Sequence, residues 1–382
     1  MKKDLGLYIH IPFCVKKCEY CDFLSWNAEE EERQQYVAAL LSEIESYREF
    51  AKGYRVSTIF IGGGTPSVLL PKQMEDILQK IYEIFELERR AEITIEVNPG
   101  TVDEEKLQCY KENGVNRLSM GLQSVKDEKL RLLGRIHTYQ EFVESYELAR
   151  KAGFDNISID LISSVPGQTL QEWKEELETA AAQNPEHISV YQLIIEEGTP
   201  FYEKYAEHPE LLPDEETSRE IYLWTGKFLK EAGYEQYEIS NYAKPGKESR
   251  HNLKYWERGD YLGLGLGAAS MVRNIRMSNT KDMRTYLERC DKPKTMREDV
   301  QFLEEPRQME EFMFLGLRLT SGIRLSDFKK AFGKNIFEIY GPVINTHIHD
   351  GTLVLDADSQ KLSLTEHGLD ISNFIMADFL LE

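Results

Sequence analysis

His10-Ile11-Pro12-Phe13-Cys14-Val15-Lys16-Lys17-Cys18-Glu19-Tyr20-Cys21 gathers three of the chain's five cysteines within eight residues, spaced CxxxCxxC. Thiolates are soft ligands that select zinc, cuprous copper or iron–sulfur clusters. Three thiolates on one short loop hold three irons of a [4Fe–4S] cube. Most such clusters take four cysteines, so here the fourth iron is left open to a non-protein ligand. Two blander readings compete. A disulfide fits poorly, because the cysteine count is odd and no signal peptide is expected. A structural zinc could recruit His10 beside Cys14, Cys18 and Cys21, although zinc sites usually show paired CxxC units. Cys109 and Cys290 stand alone in helix-like stretches and are assigned no chemistry.

Outward from this loop, short apolar strands alternate with helical stretches. Residues 5–13 read as a strand that ends at the cysteines. The spacing of Tyr36, Leu40, Ile44 and Tyr47 predicts a helix over 29–52. Residues 57–61 form a buried strand stopped by Gly62-Gly63-Gly64. The alternation continues with helix 71–87, strand 92–97, and helix 103–113 closed by Gly114. Strand 117–121, helix 137–152, strand 156–162, helix 170–183 and strand 187–195 follow. Such alternation predicts a parallel sheet with helices outside. Right-handed crossovers let that sheet curl into a partial or full barrel. Barrel enzymes carry their reactive groups at the C-terminal ends of strands. The unusual residues fall there: 14–21 after the first strand, 62–66 after the second, Glu96 ending the third, Gln123 after the fourth, Asp160 in the fifth.

Beyond residue 200 the pattern changes. A helix is expected over 213–233 and a strand over 237–240. Arg250-His251-Asn252-Leu253-Lys254-Tyr255-Trp256 then precedes a glycine-rich run, 261–269. The polar stretch 282–305 reads as a linker between a first domain, 1–281, and a small helical domain, 306–382. In the second, 308–319, 325–332 and 365–380 are amphipathic, and 353–355 with 362–364 suit a hairpin. That is a winged-helix-like layout. Residues 301–382 carry 7 basic and 13 acidic side chains, so a lid or interaction module is expected rather than a DNA-binding one.

The totals exclude other classes. Net charge is −20, from 46 basic and 66 acidic residues. Nucleic acid and anionic lipid both need a basic footprint. No apolar run is long enough to span a membrane. A cytoplasmic protein is expected, in a compartment that keeps thiols reduced.

CxxxCxxC after a first strand, followed in order by GGGTP (62–66), EVNP (96–99), GLQS (121–124) and DLISSVPGQT (160–169), resembles the radical S-adenosylmethionine (SAM) superfamily. More narrowly, it resembles the branch containing oxygen-independent coproporphyrinogen III oxidases and HemW-type haem chaperones. The resemblance covers most of residues 5–270 and implies an α/β fold, a partial (β/α)6-type radical SAM barrel. It implies a [4Fe–4S] cluster on Cys14, Cys18 and Cys21, with SAM chelating the open iron through its amino and carboxylate groups. An electron from the cluster then breaks a carbon–sulfur bond of SAM to give a 5′-deoxyadenosyl radical. Gly63, Gly64 and Thr65 are expected against the methionine end, where side chains would block approach. By itself the glycine run is equally a tight bend. Glu96 and Asp160 are expected to accept bonds from the SAM amine or ribose, and Gln123 and Arg135 to bond its carboxylate or ribose. Tyr8 and Tyr20 match positions that contact SAM or its adenine, and Ile194 carries over on strand six. The family commonly has a glycine and a large aliphatic residue where this chain has Ser163-Ser164-Val165-Pro166.

Three features point within the branch to the chaperones. The oxidases resemble CxxxCxxCxC, and the fourth cysteine's position is Phe23 here. They carry a long N-terminal extension, whereas 13 residues precede Cys14 here. His251-Asn252-Leu253-Lys254-Tyr255-Trp256 matches the HNxxYW motif associated with haem binding. Neutral histidine is a common axial ligand of haem iron. Tyr255 and Trp256 offer flat apolar faces, and Arg250 or Lys254 could pair with propionates. The other reading is a structural turn in which His251 packs and the aromatics are core. The resemblance implies a protein that binds haem and passes it to apo-haemoproteins such as respiratory proteins, with a reduced electron donor for the cluster. The alternatives are oxidative decarboxylation of coproporphyrinogen III and a cluster-holding module without SAM chemistry.

Overall fold

The computed structural model describes residues 2–381. Six parallel strands follow one another across the sheet as they do along the chain: β1 Lys3–Ile11, β2 Tyr54–Gly63, β3 Leu87–Val97, β4 Arg117–Gln123, β5 Ile157–Ser163 and β6 His187–Gln192. Their outward side chains are apolar because helices cover that face. Leu5, Leu7, Ile9 and Ile11 of β1 are fully buried there. The helix Glu30–Ser46 meets the same core with Tyr36, Leu40 and Ile44, and Pro71–Ile84 with Met74, Ile77, Leu78 and Ile81.

The inner face of the strands is largely polar, and register stacks it in layers. Gly6, Thr58 and Glu92 stand side by side across β1–β3. Tyr8, Phe60, Thr94 and Arg117 form the next layer, across β1–β4. Glu96, Ser119 and Ser158 lie above that, across β3–β5.

Further strands occupy both edges. β7 Glu235–Glu238 pairs with β8 Asn241–Ala243, which runs antiparallel to β6. β9 Tyr261–Leu264 lies parallel to the other side of β1, and β10 Ala269–Val272, β11 Ile275–Asn279 and β12 Arg297–Phe302 extend the sheet antiparallel. Since β9 and β8 take the free sides of β1 and β6, those two strands cannot pair with each other. The barrel stays open, as the partial form of the expectation has it, and full closure does not occur.

The stretch 282–305, expected as a linker, is built into this sheet. The helix Met283–Arg289 buries Tyr286, and β12 forms the outermost strand. An edge strand needs no continuous apolar run: Val300 and Phe302 are over 60% exposed. That explains its polar appearance.

Residues from Glu305 onward have their own core around Met313, Phe328, Tyr340, Ile344 and Leu362. The helices Glu305–Gly316, Leu325–Phe332 and Ile336–His349 precede the expected hairpin, β14 Leu353–Asp356 with β15 Lys361–Leu364, to which β13 Ile323–Arg324 adds a strand. The order is winged-helix-like. Ile336–His349 was not foreseen, because Pro342 inside it interrupts a helical reading. Arg258 and Glu311, both nearly buried, pair at 3.1 Å between the sheet unit and this module. Arg318 lies 4.3 Å above the Trp256 ring.

Candidate functional site

After β1 the chain crosses the C-terminal ends of the strands as the cysteine loop. Cys14 N donates to Trp26 O at 2.9 Å, and Trp26 N to Pro12 O at 3.0 Å. Phe13 anchors the loop edge-on against Trp26 and Tyr36. Farther along, Glu19 N donates to Leu133 O. All three loop thiols are free and partly exposed. Burial pushes the Cys21 thiol up to about 11, so a metal must displace its proton.

Two of the sulfurs receive donors. Thr65 Oγ1 lies 3.6 Å from Cys14 Sγ, and Arg135 Nη1 3.5 Å from Cys18 Sγ. Asn98 connects these donors: its Nδ2 donates to Thr65 Oγ1 at 2.8 Å, and its Oδ1 accepts from Arg135 Nη2 at 2.9 Å. The chain Cys14–Thr65–Asn98–Arg135–Cys18 thereby spans the loops after β1 to β4.

The donor set decides between metals. Among the described residues no three His, Cys, Asp or Glu side chains converge on a point where one ion could sit. His10, the expected fourth zinc ligand, has Nδ1 2.9 Å from Tyr8 Oη and Nε2 3.0 Å from Leu24 O. Three thiols, with a guanidinium and a hydroxyl aimed at two of them, fit a negatively charged multi-iron cluster.

Below the loop lies a cavity of about 390 Å³, lined by Cys14, Cys18, Cys21, Tyr20, Gly63, Gly64, Thr65, Glu96, Gln123, Arg135 and Asp160. Most of the expected site residues thus share one space. Burial, then the nearby Asp160, pushes the Glu96 carboxyl up to about 8, and it accepts from Gly63 N at 3.1 Å. At neutral pH it is largely protonated. Asp160 accepts from Ser119 and Ser158 hydroxyls at 2.9 and 3.0 Å. Gln123 has φ 67°, a left-handed conformation uncommon outside glycine, where β4 meets the cavity.

The glycines line the cavity, and the chain's own packing also demands them. Gly63 has φ +115°, and a Cβ there would sit 2.6 Å from the His10 ring. One on Gly64 would sit 2.7 Å from Phe13 O. The chain's own packing requires glycine, and the open backbone follows from it.

Two expected residues stand apart. Tyr8 turns its hydroxyl to His10 and its ring to Phe60, off the cavity wall. His251 is 1% exposed, with Nδ1 2.8 Å from Thr58 Oγ1 and Nε2 2.8 Å from Tyr255 Oη. Burial drives its pKa down to about 3. Its helix, Arg250–Trp256, lies across the Gly6–Thr58–Glu92 layer and forms the cavity floor. The Glu92 carboxylate accepts from the backbone N–H groups of Arg250 and His251, each at 3.0 Å. A Cβ on Gly6 would strike Lys254 at 2.8 Å. The structural-turn reading of HNxxYW is therefore the one this conformation shows. His251 has no free nitrogen for a haem iron.

Asn98, Arg117, Tyr191 and Asn252 also line the cavity and were not singled out from sequence. Asn98 was visible within EVNP, whereas a single arginine opening a strand looks like a surface charge. Phe23 and Ile194 form an apolar rim, 60% and 66% exposed.

Comparison with known proteins agrees with this geometry. The Radical SAM superfamily model matches residues 8–180, and that of the HemN C-terminal domain matches 303–371. Heme chaperone HemW of Lactococcus lactis subsp. lactis is 36% identical over 100% of this chain and 99% of its own. Heme chaperone HemW of Escherichia coli is 38% identical over 99% of this chain and 98% of its own. Among solved structures, coproporphyrinogen III oxidase (HemN) from Escherichia coli is similar, with a TM-score of 0.86 and 25% identity, covering 99% of this chain and 90% of the other. With relatives matching at that level along their whole length, this chain belongs to the radical SAM superfamily and, within it, to the HemW family.

Proposed function

We propose that this chain is a haem chaperone. It carries a [4Fe–4S] cluster on Cys14, Cys18 and Cys21, binds SAM in the adjoining cavity, and delivers haem to apo-haemoproteins such as respiratory proteins. The carrying observation is the full-length similarity to proteins named as haem chaperones. Radical SAM membership implies the cluster and SAM, and the three free thiols over a polar cavity suit both. When bound, these groups supply reductive carbon–sulfur cleavage. The chain's own residues hold and orient: Arg135 and Thr65 stabilise thiolate charge, Asp160 accepts from hydroxyl or ammonium groups, and protonated Glu96 donates. Tyr20, Gly63, Gly64 and Gln123 complete the wall.

In this reading the sheet unit, through β12, holds the cofactors, and 306–382 is an interaction module. No helix among the described residues is long and apolar enough to cross a membrane. A cytoplasmic setting with a reduced electron donor belongs to the same proposal.

The oxidase is the second reading, favoured by the whole-chain likeness to HemN. Phe23 in place of a fourth cysteine weighs against it. Anaerobic reconstitution, followed by haem titration and an assay for vinyl porphyrin, separates the two. Stoichiometric haem binding without product is expected. Steady conversion of coproporphyrinogen III by protein that binds no haem would reverse the assignment.

A further inference from the structure

The cavity floor holds a charge with no ion-pair partner among the described residues. Arg117 opens β4 and is 2% exposed. Among the described residues no carboxylate lies within ion-pair distance of its guanidinium, and its Nε is buried without a partner. Glu96 feels the Arg117 charge but forms no ion pair with it and accepts from Gly63 N, and Asp160 accepts from Ser119 and Ser158. Buried charges are normally paired, because leaving one unpaired is strongly unfavourable. Arg117 lines the cavity, so its open guanidinium marks a place for an acceptor from outside the chain.

The shape of the cavity says how that acceptor arrives. Arg117, Ser119, Gly121 and Gln123 alternate along one face of β4, and all four line the cavity from floor to mouth. A ligand entering at the cysteine end meets Arg117 with its far end. SAM's own carboxylate is expected at the open iron, at the mouth, so Arg117 addresses a different group. A guanidinium is a planar fork that matches a carboxylate with two parallel hydrogen bonds. We propose that Arg117, with Asn252 of the floor helix also on the cavity wall, anchors a carboxylate arm of the cavity's second ligand, a propionate of the tetrapyrrole. This rests on the haem reading above.

The test uses the full-length, anaerobically reconstituted protein, titrated with haem and with haem dimethyl ester, whose propionates carry no charge. Wild type is expected to prefer haem by about tenfold or more, the size of one charge-assisted pair. Arg117→Gln should erase that preference and leave ester affinity unchanged, while Arg117→Lys keeps part of it. SAM affinity should stay within about twofold of wild type, well under the tenfold steps read for haem. Because Arg117 has no hydrogen-bond or ion-pair partner among the described residues, the melting temperature of apo Arg117→Gln should not fall. If Arg117→Gln fails to fold, Arg117 is structural and the proposal is overturned. A preference retained in Arg117→Gln, or SAM affinity falling in step with haem affinity, overturns it as well. Wild type binding both porphyrins equally defeats this proposal alone. Wild type binding neither defeats the haem reading and this proposal together.

Discussion

Cys14 and Cys18 do not touch each other, yet Thr65, Asn98 and Arg135 join them through hydrogen bonds. Partners behind a metal ligand fix its orientation and typically change metal affinity by about 10- to 100-fold. Asn98→Ala should therefore lose iron to a chelator at least about tenfold faster than wild type, read from the decay of cluster absorbance. Unchanged decay would show that the connection is incidental. His251 carries the sharpest conflict between motif and geometry. His251→Ala removes two buried hydrogen bonds and a stacked ring, so a loss on the order of 3 kcal/mol is expected in chemical denaturation. Haem affinity should stay within about threefold, less than the one kcal/mol or so that a single neutral hydrogen bond contributes. Haem binding lost with stability intact would instead make His251 a ligand that this conformation hides. The cysteines were legible because three of the chain's five fall within eight residues, and the wall residues through the resemblance carried by GGGTP, EVNP, GLQS and DLISSVPGQT. Arg117 and the enclosure of His251 were not, since each depends on which distant strand lies opposite.

The six parallel strands were legible as elements because each is an apolar run ended by glycine, proline or a polar residue. The edge strands were not, since β8 and β9 are short and gain their places only by pairing with β6 and β1. The polar segment 282–305 hid both a strand and a helix for that reason. One buried network ties these late elements to an early one. Glu43 of the helix Glu30–Ser46 accepts from Gly265 N at 2.8 Å, Asn279 Nδ2 at 2.8 Å and Tyr286 Oη at 2.7 Å. Burial pushes its carboxyl up from 4.5 to about 7 despite those donors. A carboxyl with a raised folded pKa favours the native state below its unfolded value, and that contribution is lost as pH rises through the folded one. From this group, apo-protein stability should fall between about pH 4.5 and 8, by at most about 3 kcal/mol. Glu43→Gln should flatten the slope in urea unfolding. A slope of the same size in the variant would assign the titration elsewhere.

The molecule as a whole joins a sheet unit to a small C-terminal module through ion pairs, a β-bridge between Glu238 and Leu319 and hydrogen bonds from Thr320, and one of the ion pairs is nearly buried on both sides. Glu311 pairs with Arg258 at 3.1 Å and Arg276 at 2.8 Å. Removing one partner of a buried ion pair costs about 3–5 kcal/mol because the other is left uncompensated. Glu311→Ala should therefore loosen the module, and limited proteolysis near residues 297–305 should speed up by about tenfold or more. Equal cleavage rates would place the coupling in the other contacts, such as Arg318 with Glu238 and Trp256 or Arg219 with Asp370. In the function proposed above, cofactor holding depends on the cysteine loop keeping a cluster with one corner free. Iron and sulfide counted after anaerobic reconstitution test this most directly. Wild type should hold about four of each per chain, and the triple variant Cys14→Ser, Cys18→Ser, Cys21→Ser close to none. Equal iron and sulfide in the two proteins would contradict the account at its centre.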